Sequence, residues 1–180
     1  MRIELSLPQI RRAQDWVIEK QVLKRESGSR DLFFSERTSD TVSVDLMGRL
    51  GEIAAATAFG LDWDRALDWT IVAGGDSGID LVSHGYRWDV KTTTTAYLAF
   101  NGTPAFRADA AILVQLDGGM AEPDRVGRGY DVSRVCSQAR FLRDAEDRDF
   151  GYGVRKVIAA DKLRRSEEFL AAIRSEEVEG

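Results

Sequence analysis

The sequence predicts an α/β protein with a central mixed β-sheet flanked by α-helices. Three observations predict it. Segments at both ends of the chain and near residues 40 to 60 carry apolar residues at helical spacing. The stretch from 78 to 95 alternates with the two-residue period of a strand, and the apolar run Ala110 to Leu116 has the length of a buried strand. A chain of 180 residues, 43% of them hydrophobic, suits one globular domain with a sizeable core. Within residues 1–180 the expected divisions are an N-terminal helix and connector over 1–40, a core over about 41–160 and a C-terminal helix over about 161–176.

Ser6-Leu7-Pro8-Gln9 is a capping-box pattern with proline in the first turn, and it opens a helix that runs to about Arg25. Glu26 to Asp40 reads as a connector. A second helix runs from near Asp40 to Gly60, with Leu46, Leu50, Ile53 and Thr57 on its core stripe and Gly48, Gly51 and Ala55 as a flank of small residues. That flank lets the helix approach the sheet, so that Glu52 can reach a site on a strand. Strands follow at about 68–73, 78–83, 86–95 and 96–100, then at Ala110 to Leu116. Gly118 to Arg128 is loop-like. A strand near 129–132, a helix from Ser133 to about Ala145, a strand at 152–159 and a helix from Asp161 to about Glu176 complete the chain.

No apolar run has signal-peptide character, and none approaches the roughly 18 to 20 residues of a membrane span, so a soluble, cytoplasmic protein without a membrane partner is expected. The single cysteine, Cys136, excludes an intramolecular disulfide and is assigned to the core of a helix. The single histidine, His84, excludes a multi-histidine zinc site within the chain. Oxygen ligands for a hard cation remain. Net charge is −5, unevenly spread: residues 51–124 hold four basic and eleven acidic side chains, whereas 1–50 hold nine and eight, and 125–180 hold twelve and eleven. Phosphate-contacting cations would therefore come from the flanks, such as Arg11, Arg12, Lys20, Lys24 and Arg25, or Arg155, Lys156, Lys162, Arg164 and Arg165.

The segment Gly78-Ile79-Asp80-Leu81-Val82-Ser83-His84-Gly85-Tyr86-Arg87-Trp88-Asp89-Val90-Lys91-Thr92 reads as a hairpin whose turn is His84-Gly85. Paired residues then have numbers that sum to 169, which sets Asp80 opposite Asp89 with both side chains on one face. Like charges so placed repel. A divalent cation held by both would convert the repulsion into a binding site, and Lys91 lies two residues further along the same face. On this reading Asp89→Asn relieves the pair and stabilises the metal-free protein.

Asp80, the triplet Asp89-Val90-Lys91 and the upstream Glu52 resemble the metal-dependent nucleases of the PD-(D/E)XK, or restriction-endonuclease-like, superfamily, over about residues 45 to 116. Ile79 stands where the family motif has its proline. The resemblance implies a restriction-endonuclease-like core and an Mg²⁺-dependent nuclease acting on DNA, with Mn²⁺ as a substitute metal. It implies Asp80, Asp89, the Val90 carbonyl and Glu52 as metal ligands, and Lys91 as the group that positions or deprotonates the attacking water. Asp89-Val90-Lys91 is the one acid-x-lysine triplet in a chain of twenty arginines and five lysines. Lysine suits the role because its pKa falls readily, whereas arginine stays charged.

Other residues are read as structural: His84 as a turn residue, Asp76 as part of a glycine-rich turn, and Trp16, Trp63, Trp69 and Trp88 as packing. Thr92 to Thr95 suit a strand, with hydroxyls available to a DNA backbone. The rival expectation is a non-catalytic DNA-binding or assembly module that keeps the nuclease fold. A homo-oligomer is compatible with the sequence, which sets no oligomeric state.

Overall fold

The computed structural model describes residues 1–26, 41–71, 78–118, 122–151 and 153–179. The connector expected up to Asp40 lies, from residue 27 on, outside the described residues, as does Asp76.

Helix α1, Leu7–Glu26, starts where the capping signal stands: the Gln9 side chain accepts from the Ser6 backbone N–H at 2.8 Å and from its hydroxyl at 2.8 Å. Gln9 also donates to the Thr57 hydroxyl at 3.0 Å, tying α1 to α2, Thr41–Ala58. Helix α2 buries Leu46, Leu50 and Ile53. It ends in a Schellman pattern, with Gly60 at φ 72° donating to the Thr57 carbonyl and Leu61 donating to that of Ala56.

The main sheet has the order β1-β6-β5-β3-β2, formed by Arg2–Glu4, Gly129–Ser137, Ala110–Leu116, Tyr86–Thr93 and Leu81–Ser83. β3 and β5 run parallel and the other neighbours antiparallel, so the sheet is mixed. A two-residue strand, β9 (Arg164–Arg165), adds to β6. Trp88 and Val90 of β3, Ile112 and Val114 of β5 and Val135 of β6 form one core with α1, α2 and α5, Ser166–Glu179. Ala111 and Leu113 of β5 and Cys136 of β6 face the other way. They meet Phe141 of α4 (Gln138–Asp144) and a second, antiparallel sheet β4-β8-β7, formed by Tyr97–Phe100, Val154–Ala159 and Glu146–Asp149. Each fully buried leucine, isoleucine or phenylalanine contributes about 1.5–3 kcal/mol, so both layers hold the sheet. Among the described residues no helix is long and apolar enough to cross a membrane.

Several elements differ from expectation, each for a local reason. Residues 68–71 are not a strand, because the Asp68 carboxylate accepts from the Thr70 N–H at 2.9 Å and turns the chain. The helix expected from Ser133 is strand through Ser137: Ser133 spends its hydroxyl on Asp131 at 2.7 Å, and Ser137 is the actual cap, accepting from the Arg140 N–H at 3.4 Å. Cys136 therefore sits on β6, though in the core as expected. The C-terminal helix begins at Ser166, after a 3₁₀ turn over Ala160–Lys162 and β9. β3 stops at Thr93, whose hydroxyl accepts from the Thr95 N–H at 3.0 Å. The strand expected over 96–100 forms, but in the second sheet; β1, β7, β9 and the short helix α3, Trp63–Ala66, were not foreseen.

Candidate active site

The hairpin forms as the alternation requires. Leu81 pairs with Trp88, Val82 with Arg87 and Ser83 with Tyr86, each summing to 169, across a turn in which His84 and Gly85 have φ of 50° and 71°. Beyond Leu81 the even register breaks. The Asp80 N–H donates to the Trp88 carbonyl at 2.8 Å, one residue short of Asp89, and the Asp80 carboxylate accepts from the Val90 N–H at 2.6 Å. Asp80 is thus drawn into the plane of the sheet beside β3, rather than standing face to face with Asp89. A carboxylate on a backbone N–H is a charge-assisted bond, about twice as strong as a neutral one.

Asp89 is fully buried and ion-paired with Lys91, whose side chain is 38% exposed. Strand register places the pair: Asp89 lies beside Ala111 and Lys91 beside Leu113, on the face covered by the second sheet. The Lys91 ammonium lies 5.0 Å from the centre of the Phe100 ring on β4, so its stem runs under an aromatic lid and its head reaches water. A strand residue's N–H and C=O point to the same side, so the Val90 carbonyl opens on the edge that Asp80 occupies.

Glu52 lies across the sheet from that pair. Helix α2 packs on the face that carries Trp88, Val90 and Thr92, and a Cβ on Gly51 would fall 1.7 Å from the Thr92 hydroxyl oxygen. Gly51 is therefore the close approach expected of the small-residue flank, whereas Gly48 has nothing within 4 Å. Glu52 pairs with Arg49 at 2.7 Å. Arg49, 7% exposed, lies over the Trp16 ring at 3.8 Å and the Trp69 ring at 5.0 Å. Sequence reasoning missed this group; its signal was an arginine three residues before Glu52 on one helix, with the two tryptophans read as packing alone. Residues from the two faces can meet where β2 ends, because past Val90 no strand pairs with that edge of β3 among the described residues.

The structure therefore joins Asp89 to Lys91 and Asp80 to Val90, and sets Glu52 on the adjoining helix. Among the described residues no three histidine, cysteine, aspartate or glutamate side chains are gathered closely enough to hold a metal ion. The donor set at the β3 edge is all oxygen, which matches a hard cation. His84 keeps a turn role, its ring edge-on to Phe59 at 6.2 Å. Burial pushes the Cys136 thiol up to about 11, so it is no nucleophile at neutral pH. Several flanking cations expected to contact phosphate are engaged within the fold: Lys20 and Lys24 hold Asp45 at 2.9 and 3.2 Å, Lys156 holds Asp147 at 3.0 Å, and Arg12 lies over Trp69 at 4.3 Å. No family model, no curated protein and no solved structure matches this chain.

Proposed function

We propose that this chain is a metal-dependent nuclease that hydrolyses DNA phosphodiester bonds, with Mg²⁺ as the metal and Mn²⁺ as a substitute. The observation that carries the reading is the convergence on one short length of β3: the Asp80 carboxylate on the Val90 N–H, with Asp89 and Lys91 paired on either side of Val90. Asp80, Asp89 and the Val90 carbonyl would hold the cation, and Glu52 would complete the set from α2. Bound there, Mg²⁺ would supply charge neutralisation at the phosphodiester. Lys91, once it has released its ammonium proton to solvent, orients the attacking water and accepts its proton at Nζ; the water oxygen bonds to phosphorus, the opposite P–O ester bond breaks, and the leaving oxygen takes a proton from solvent. Asp89, buried beside Lys91, holds that ammonium in place until the site is loaded.

A second reading is favoured by the Arg49–Glu52 pair, which ties Glu52 into the packing of α1 and α2. On it the chain is a DNA-binding or assembly module that cleaves nothing. Purified protein with linear, circular, single-stranded and branched DNA, in Mg²⁺, Mn²⁺ and EDTA, separates the two. Metal-dependent cleavage lost in Asp80→Ala supports the nuclease; binding without cleavage on every substrate and metal overturns it.

A further inference from the structure

At the outer edge of the main sheet a like-charge pair does stand face to face. β9 pairs with β6 so that Arg165 lies directly opposite Arg134. Directly opposed strand residues share a face with Cβ atoms about 4.5–5.5 Å apart, where like charges repel. Neither guanidinium has an ion-pair partner among the described residues. Both line a cavity of about 300 Å³, the low end for a small-ligand site.

Two further features of that cavity call for an anion. Helix α5 starts in its wall at Ser166 and runs for 14 residues, so its first N–H groups, without partners in the helix, and its positive dipole end are presented there. Ser166 is fully buried, its hydroxyl lacks a hydrogen-bond partner among the described residues, and it is part of the same wall. The cavity also holds two carboxylates. Asp131 is taken up by the Ser133 hydroxyl at 2.7 Å and the Met1 amino group at 3.4 Å, while Glu167 sits in the exposed first turn of α5.

We propose that this cavity binds a phosphate group, with the Arg134 and Arg165 forks, the first turn of α5 and the Ser166 hydroxyl as its donors. Planar guanidinium forks match phosphate oxygens two at a time, and one phosphate between them turns their repulsion into attraction. The site stands apart from the candidate active site. Arg134 and Lys91 flank Leu113 in one row across the sheet, but Leu113 is fully buried beneath the second sheet and Phe141. The inference does not rest on nuclease activity. The phosphate belongs either to a nucleic-acid backbone or to a free phosphate or phosphomonoester.

Thermal melts in millimolar sodium phosphate, against sodium chloride of matched ionic strength, test the site with inorganic phosphate as the probe. Phosphate is expected to raise the melting temperature of the wild type, and the rise should be lost in Arg134→Gln and in Arg165→Gln, the latter at an exposed position where substitution is expected to leave the fold intact. Ser166→Ala is expected to shrink the phosphate response while leaving the melt in chloride unchanged or higher, since it removes a buried hydroxyl that lacks a partner. Fluorescence anisotropy of duplex DNA in EDTA identifies the source. If the backbone is the ligand, the slope of log affinity against log salt falls by about 0.9 in Arg165→Gln; an unchanged slope, beside a wild-type phosphate response that the variant loses, assigns the site to a free phosphate or phosphomonoester. Equal melts in phosphate and chloride, or a full response kept by both arginine variants, would overturn the proposal.

Discussion

The two faces of β3 solve the same problem in different ways. On the helix side, Trp88, Val90 and Thr92 meet α2 so closely that position 51 has no room for a Cβ, and Arg49, the partner of Glu52, lies over two tryptophan rings. On the second-sheet side a fully buried carboxylate, Asp89, is answered by a lysine that keeps its head in water. Contact packing positions the charged group on the first face, and the Asp89–Lys91 ion pair positions it on the second. The four residues of the proposed site are divided between these faces and the edge, so they can act together only where β2 ends.

The largest effect should come from the lysine. Lys91→Ala leaves Asp89 buried without its cation, and breaking a buried pair in this way costs about 3–5 kcal/mol, read as a lower midpoint in urea. Lys91→Arg keeps the charge and should keep nearly all of that stability. If the proposed role of Lys91 is right, the same variant loses cleavage by about 10²–10⁴-fold, because arginine does not accept a proton. Full activity in Lys91→Arg would rule out proton transfer by this residue and leave it a purely electrostatic role.

Metal linkage is the next test, since it asks whether the two faces meet. Mg²⁺ or Ca²⁺ should raise the melting temperature, with a gain of about 2.7 kcal/mol at a hundredfold excess over the dissociation constant. Glu52→Gln should reduce that gain if the helix side contributes a ligand. No shift with either ion in the wild type sinks the metal site. The structure also reverses one sign: read from Asp80 alone, Asp89→Asn relieves a repulsion, but Asp89 is the partner of Lys91. In EDTA this variant should be destabilised by about 1–2 kcal/mol, below the usual cost of a broken buried pair because Lys91 can rehydrate.

The contrast between faces also marks what could be read from the chain. The β2–β3 register was legible because His84-Gly85 forces a tight turn and the apolar residues alternate without interruption on both sides. The in-plane turn of Asp80 was not, since a side chain capping a backbone N–H leaves no trace in hydrophobic period. Ser133 and Ser137 carry the same capping chemistry, and only the pairing of Val135 with Ile112 decides that the strand continues to the second. The second sheet was illegible for a related reason: β7 is Glu146–Asp149, all charged and exposed, and its partner β8 specifies it by backbone bonds and the cross-strand Lys156–Asp147 pair, neither of which leaves a hydrophobic period.

Helix approach gives a smaller and cleaner comparison. Gly51→Ala must push Thr92 aside, because its methyl would lie 1.7 Å from that hydroxyl, and overpacking of this kind costs about 1–3 kcal/mol. Gly48→Ala meets nothing within 4 Å and should stabilise α2 by about 0.5–1 kcal/mol through backbone entropy alone. Urea melts of the two variants give opposite signs if α2 sits as described. Two losses of similar size would mean that the helix is rotated against β3.

The smallest effect belongs to a second ion pair on β3, which shows how much burial matters to the first. Arg87, two residues before Asp89, binds Asp109 with Nε at 3.0 Å and Nη2 at 2.6 Å, and the Arg87 backbone N–H adds a bond at 2.9 Å. These bonds hold the Asp109 carboxyl down at about 2, below its ordinary 3.8. A carboxyl whose pKa is depressed on folding contributes stability that is fully present above its unfolded value and is lost as pH falls through its folded one. The window is therefore pH 4 down to about 2. Because both side chains are exposed, at 52% and 38%, solvent screening reduces the contribution to a few tenths of a kcal/mol. Asp109→Asn should flatten the stability profile slightly between those limits and leave it unchanged at neutral pH beyond a small constant loss. A change at pH 7 as large as that from Lys91→Ala would mean that the exposed pair, and not the buried one, holds the second face of β3 in place.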